Sequence, residues 1–389
     1  MLDKLTGKHK VGEFRKFPQL ELHLQPLKKL SEYLIRISFR VLDALFPTKN
    51  NIVFSTRGAK GYADNSKVLF EYFLSQGIDN VYFFTKKKDV YNKIPKNGIY
   101  AYSLKAIRIL LQSRILVFTH GSGDFFPFSP PKTKHRKFVN LFHAIAVKEV
   151  GHKGNPALIK ESNEWDYFVV SSSFEADFIK QQYSLTNEQI VVLGQPRNDI
   201  LCKENSKPSE AKMVLYAPTF RDSSITELFP FTDKNLPALD DFLGRKGMKI
   251  MIRLHINEEK NYRHSKEYAQ LENIFFAGSD VHPSVNDILY CFDALITDYS
   301  SIALDYLLLD KPIAYIAYDY EAYLTERGFS FDFHEHRAGP NISTQKDLQL
   351  FLDQKEDTFA TRRSELKNLF HQYQNGKTSE RLFNFIQTL

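Results

Sequence analysis

The chain has 389 residues, 43% hydrophobic and 25% charged, which is enough for two domains of ordinary size and unlike a disordered or low-complexity chain. Its net charge of +6 is mild; it suits phosphates or an acidic membrane surface, and no nucleic-acid partner is expected. Cys202 and Cys291 lie too far apart in sequence to suggest a metal-ligand pair, exclude a disulfide framework and fit a reducing cytoplasm, and no run approaches the ~20 apolar residues that span a bilayer.

Residues 1–46 read as a separate segment without the apolar core of a secretory signal. Lys4, Lys8, Lys10, Arg15 and Lys16 precede a helical pattern that starts at Pro26. Leu27, Leu30, Leu34, Ile37, Val41 and Leu45 fall on one stripe, and Lys28, Lys29, Arg36 and Arg40 lie off it. Such a basic amphipathic helix is suited to an anionic membrane surface, or to packing on the protein's own core.

From Asn51 onward short apolar runs alternate with helical patterns, the signature of a parallel βα sheet. Strands are expected at Ile52–Ser55, Val81–Thr85, Ile115–Thr119, Val139–His143, Tyr167–Ser171 and Ile190–Leu193. Helices are expected at Ser66–Gln76, Leu104–Gln112 and Phe174–Gln182. A second series follows the charged stretch 203–212. Its expected strands are Met213–Ala217, Lys249–Leu254, Ile274–Ala277, Ala294–Thr297 and Ile313–Ala317, with helices at Leu239–Arg245, Lys260–Leu271, Val285–Tyr290 and Ile302–Leu309. This predicts two Rossmann-like, doubly wound domains, 47–204 and 205–389, facing each other across a cleft.

Asp293 to Ala317 is the most informative stretch: a buried strand, the polar turn Thr297-Asp298-Tyr299-Ser300-Ser301, a helix and a second buried strand. Ser300 and Ser301 at a helix start suit a phosphate, and Asp305, one turn on, is placed to reach a ribose. His143 and His255 are each expected at a strand end, one per domain, where open α/β sheets put ligand-contacting groups. Histidine can act as a base or donate to phosphate near neutrality. Arg253 precedes His255 by two residues and shares its face in a strand; Arg221 follows another strand end in LYAPTFRD, together with Thr219. Gly194, Arg197 and Asn198, in GQPRNDIL, lie at the last strand end before the second domain. No GxGxxG follows a strand, and there is no Walker loop, GxSxG elbow or HExxH. His334 and His336 form an HxH pair in an expected loop, short of a metal set, and neither a metal nor a cofactor is expected.

Taken in order, FSTRGAKGYADNSKVLFEYF, LFHAIAVKEVG, GQPRNDIL, LYAPTFRD, IRLHI, SVNDILYCFDALITDYSSIALDY and RGFSFDF resemble the CDP-glycerol glycerophosphotransferase family, the teichoic-acid primases and polymerases of bacterial envelopes. The resemblance implies a GT-B fold and transfer of a polyol phosphate from a CDP-linked donor to a hydroxyl of a lipid-linked saccharide. It implies a peripheral enzyme on the cytoplasmic face of the membrane. By position it makes His143 the base and His255 the second essential histidine. It puts Arg221, Ser300, Ser301 and Asp305 on the donor side; Arg253, Asp298 and Thr219 are expected to join them at the donor phosphates, and Gly194, Arg197, Asn198 and Lys148 to line the cleft and the hinge. The family's His-Gly-Thr is His143-Ala144-Ile145 here, and its Arg-Pro-His-Pro is Arg253-Leu254-His255-Ile256. With one catalytic core, the chain reads more as an enzyme of one or few transfers, or a capsule enzyme, than as a long-chain polymerase. The alternative is a GT-B glycosyltransferase using a nucleotide sugar.

Overall fold

The computed structural model describes residues 35, 37–39, 41–43, 45–151, 156–203, 211–222, 224–262, 265–278, 281–282 and 284–389. Two all-parallel sheets form the frame. The first contains β1 (Asn51–Phe54), β2 (Val81–Thr85), β3 (Gly98–Tyr100), β4 (Ser113–Phe118), β5 (Lys137–Asn140), β6 (Tyr167–Val170) and β7 (Ile190–Val192), in the order β3-β2-β1-β4-β5-β6-β7. The second contains β8 (Lys212–Tyr216), β9 (Met248–Ile252), β10 (Ile274–Phe276), β11 (Ala294–Thr297) and β12 (Ile313–Tyr315), in the order β10-β9-β8-β11-β12. These strands read as unbroken apolar runs because both faces are covered. In β1, Ile52 and Phe54 enter one core with Leu69, Phe70 and Phe73, while Val53 enters the opposite core with Ile109 and Leu110.

The strand order reverses between β1 and β4 in the first sheet and between β8 and β11 in the second. These switch points, at the carboxyl ends of parallel strands, open the two crevices in which such folds bind ligands.

The domain division needs two amendments. Residues 205–389 were expected to form one domain, but the last helix, Thr378–Gln387, packs on the first. Leu382 and Ile386 bury in its core, and Phe383 meets Phe73 with ring centroids 4.8 Å apart. Asp199, just past the hinge, accepts the backbone N–H groups of Thr378 and Ser379 at 2.8 Å each. Gly194 at the hinge has φ +94°, and a Cβ there would lie 3.0 Å from Thr378 Oγ1. In the other direction, Ile145 and Val147 bury in the core of the second domain.

Two expected helices are not formed as such. Among the described residues of Lys260–Leu271, helix is confined to the short segment Glu259–Tyr262, and 266–270 form turns. Tyr262 and Tyr268 both turn in to pack on Phe276, a spacing that one continuous helix does not present to one face. Val285–Tyr290 forms turns and the 3-10 segment Leu289–Cys291. Ile302–Leu309 is helical throughout, but tightens to 3-10 after Tyr306.

Near the start, Ile35, Leu42 and Phe46 pack on the first core, Phe39 is buried with its ring 5.7 Å from Phe128, and Asp43 pairs with buried Arg136 at 2.5 Å. The expected stripe takes the other face: Ile37, Val41 and Leu45 are 40%, 60% and 72% exposed. Leu27, Leu30, Leu34, Lys28, Lys29, Arg36 and Arg40 lie outside the described residues.

Candidate active site

The crevice of the first sheet is built by the segments that follow β1, β4 and β5. Phe118 of β4 pairs with Asn140 of β5, so the two loops leave the sheet side by side. They carry His120 and His143, whose rings stack with centroids 4.2 Å apart and planes 7° from parallel. His143 therefore stands three residues past β5 rather than at its end. Its Nδ1 faces the Thr119 carbonyl at 3.5 Å. A carbonyl only accepts, so Nδ1 carries the proton and Nε2 keeps its lone pair. Burial, then the neighbouring His120, push this imidazole down to about 3, so it is neutral at physiological pH. Asp124, fully buried, accepts the N–H groups of Gly58, Thr119 and His120 at 2.6, 2.9 and 3.1 Å and fixes this floor.

The hinge ties this crevice to the second domain through one guanidinium. Arg197, 8% exposed, donates to Asp64 at 2.9 Å, to Asp305 at 2.7 Å and to the His143 carbonyl. Asp64 starts the helix Asp64–Ser75 and ends a strained segment in which Arg57, Ala59 and Asp64 have φ of 52°, 60° and 65°. Burial opposes its charge, but Arg197 and Arg57 outweigh that and hold the carboxyl below its ordinary range. Asn198 and Asn286 complete the set, donating to Asp305 at 2.7 and 3.0 Å. Asp305 therefore has both oxygens engaged and lies at the interdomain latch; it does not occupy the ribose-facing place expected of it.

The crevice of the second sheet is filled from within. Arg221 is 3% exposed, makes a two-pronged contact with Asp319 at 2.7 and 2.9 Å and pairs with Asp298 at 2.9 Å. Its guanidinium lies over the rings of Tyr299, Tyr323 and Tyr318, 5.1, 5.2 and 5.5 Å from their centroids. Asp298 also accepts the N–H of Thr219 at 2.8 Å and its hydroxyl at 2.5 Å. Arg221, Asp298 and Thr219, expected as donor contacts, are thus spent on one another. Ser300 and Ser301 differ. Ser300 Oγ accepts weakly from Ile302 N at 3.4 Å, and the Ser301 side chain caps nothing. Both are half-buried at the start of the helix, as expected.

His255 stands three residues past β9, so strand parity does not align it with Arg253, whose Nη1 instead donates to the Ala277 carbonyl at 3.1 Å. His255 is exposed, and its Nδ1 accepts the N–H of Asn257 at 3.3 Å. That puts the ring proton on Nε2, the tautomer opposite to that of His143. The partial burial of the ring, then Lys148, lower its proton affinity; Glu258 and Glu259 oppose this and Arg57 adds to it, so first-domain cations reach this second-domain ring. Lys148 is held where the domains meet: its backbone bridges Phe329, and Ser330 donates to the Val147 and Lys148 carbonyls at 2.9 Å each. Burial and Arg327 lower its own proton affinity. Among the described residues no group of His, Cys, Asp and Glu is arranged to hold a metal ion.

His120, Asp64 and Arg57 were not singled out from sequence. His120 had a readable signal, since it directly follows the expected strand Ile115–Thr119 just as His255 follows Lys249–Leu254 and His143 ends Val139–His143.

The sequence model of the family described as CDP-Glycerol:Poly(glycerophosphate) glycerophosphotransferase matches residues 37–388. The chain is 25% identical to a teichoic acid glycerol-phosphate transferase of Staphylococcus aureus (strain NCTC 8325 / PS 47), over 92% of this chain and 97% of that one. It is also 25% identical to a teichoic acid ribitol-phosphate primase of Bacillus spizizenii (strain ATCC 23059 / NRRL B-14472 / W23), over 90% and 94%. The structure of the wall teichoic acid polymerase TagF superposes with a TM-score of 0.74 at 22% identity, covering 95% of this chain and 97% of that one, which establishes the two-domain GT-B fold. With its family signature extending through both sheets and the terminal helix, the chain belongs to the CDP-glycerol:poly(glycerophosphate) glycerophosphotransferase family.

Proposed function

We propose that this enzyme transfers a polyol phosphate, glycerol phosphate first among the candidates, from a CDP-linked donor to a hydroxyl of a lipid-linked saccharide or growing envelope polymer. What carries the mechanism is the pair of opposite tautomers that their contacts with the Thr119 carbonyl and the Asn257 N–H assign to the two histidines. His143 offers a lone pair at Nε2, and His255 offers a proton at Nε2. The acceptor hydroxyl gives its proton to His143 Nε2 as its oxygen attacks the distal phosphorus of the donor in line. The bond from that phosphorus to the bridging oxygen breaks, and CMP leaves with the electron pair. His255 donates to an oxygen of the transferring phosphoryl, and Lys148 and Arg57 add positive charge nearby. Positioning and electrostatics of this kind are how phosphoryl transfer is ordinarily catalysed. A bound donor brings negative charge next to His143 and so raises its proton affinity when it must act as a base.

On this reading the second domain holds the CDP moiety, with its phosphates at Ser300 and Ser301. The relatives' names support polyol-phosphate chemistry with either glycerol or ribitol. The test incubates the protein with CDP-glycerol, CDP-ribitol and sugar nucleotides plus a lipid-linked acceptor, and identifies the nucleotide released. CMP from a CDP-polyol supports phosphotransfer. CDP or UDP from a sugar nucleotide would replace it with glycosyl transfer.

The same proposal places the enzyme on the cytoplasmic face of the membrane. Ile37, Val41 and Leu45 point away from the core, and Phe128 links Phe39 of that helix to Tyr102, with ring distances of 5.7 and 6.3 Å. Tyr102 and Leu104 are 59% and 86% exposed beside the exposed cations Lys105 and Arg108. An apolar surface edged with cations fits acidic lipid. Among the described residues no helix is long and apolar enough to cross a membrane. Replacing Val41 and Leu45 with Ser is expected to reduce co-sedimentation with acidic vesicles without reducing turnover on a soluble acceptor.

A further inference from the structure

The proposed reaction needs one imidazole at the acceptor hydroxyl, yet the crevice of the first sheet holds two, lying flat on each other at 4.2 Å. The second ring is that of His120. Its side chain is exposed at the crevice, and its Nδ1 lies 2.7 Å from the Thr119 hydroxyl and 4.0 Å from Asp124.

We infer that His120 is a positioning residue for the base: stacked on His143, it makes the two rings a single acceptor that takes one proton and not two, and keeps the Nε2 lone pair of His143 available to the acceptor hydroxyl. The inference rests on His143 being the base. Two imidazolium charges at this separation repel each other, and little water lies between the rings to screen them. The groups around the pair set the balance. His143 faces His120 on the β4 side, Asp64 from the helix start and Arg197 from the hinge. His120 faces Asp124 below it, and Asp64 and Arg57 from the segment after β1. The carboxylates favour a first proton somewhere on the pair, and the stack opposes a second. Burial and His120 act together to hold His143 neutral.

His120→Phe keeps a flat ring in the stack and removes the charge; His120→Gln serves if the phenyl variant melts early. In the full chain, histidine ring signals are followed by NMR through an acid titration, and kcat/KM is measured over the same range with the CDP-polyol that the parent uses. The expected result is a rise of ~1 pH unit or more in the pH at which His143 becomes protonated, with an equal upward shift of the acid limb of kcat/KM. Turnover at alkaline pH should change little. Unchanged titration and rate profile in a folded variant would reduce the stack to packing and overturn the inference. A shift of the ring signal without a shift of the rate profile would overturn it too, because the coupling would not reach the reaction. His143→Ala in the same assay separates the two readings: retained turnover there removes His143 as the base, while the NMR arm still reports whether the rings are coupled.

Discussion

The crevice above β1 and β4 and the crevice above β8 and β11 are both switch points of parallel sheets, and both gather charged residues just past strand ends. Their polar groups meet different fates. In the first, two imidazoles stack on each other and stay partly exposed, while Asp124 and Arg197 hold the backbone around them. In the second, Arg221 is neutralised by Asp298 and Asp319 and caged by three tyrosines. A guanidinium with both carboxylates already in place has little left to offer a phosphate. The fold supplies the crevice twice, and whether it can do chemistry depends on how many of its hydrogen bonds are still unspent.

Arg221→Gln breaks the comparison hardest. If the residue is structural, the variant loses ~3–5 kcal/mol of stability, the usual cost of stranding buried partner charges. Thermal or denaturant unfolding reads this. A variant that melts with the parent but loses affinity for CDP-glycerol would return Arg221 to the donor site. Ser300→Val with Ser301→Val probes the part of the second crevice that is not self-satisfied. Donor binding should weaken by ~1–2 kcal/mol, as charge-assisted hydrogen bonds are lost while the fold survives. Unchanged affinity by calorimetry would move the phosphates elsewhere.

Much of the frame was legible in the sequence. Val81–Thr85 and Ala294–Thr297 were read to the residue, because a strand buried on both faces is a short apolar run with sharp polar ends. Gly98–Tyr100 was not, since three residues at an edge carry too little pattern. The site was legible only as a set of residue types. Strand ends mark His143 and His255, and the same rule applied evenly would have marked His120. The partners of Arg197, Arg221 and Asp305 are another matter. They lie 108 residues apart for Arg197–Asp305 and 98 for Arg221–Asp319, and no local pattern tells a carboxylate waiting for a ribose from one already holding an arginine. The C-terminal helix Thr378–Gln387 was not read from the sequence at all, and which domain it returns to is decided by Phe73 and Asp199.

The central claim is that the chemistry belongs to the first crevice, with His143 as the base. The most direct measurement is the transfer rate of His143→Ala beside its affinity for CDP-glycerol, in one folded preparation. Turnover is expected to fall by roughly two to four orders of magnitude, the usual worth of a general base, with donor affinity unchanged. Near-normal turnover in that variant would contradict it.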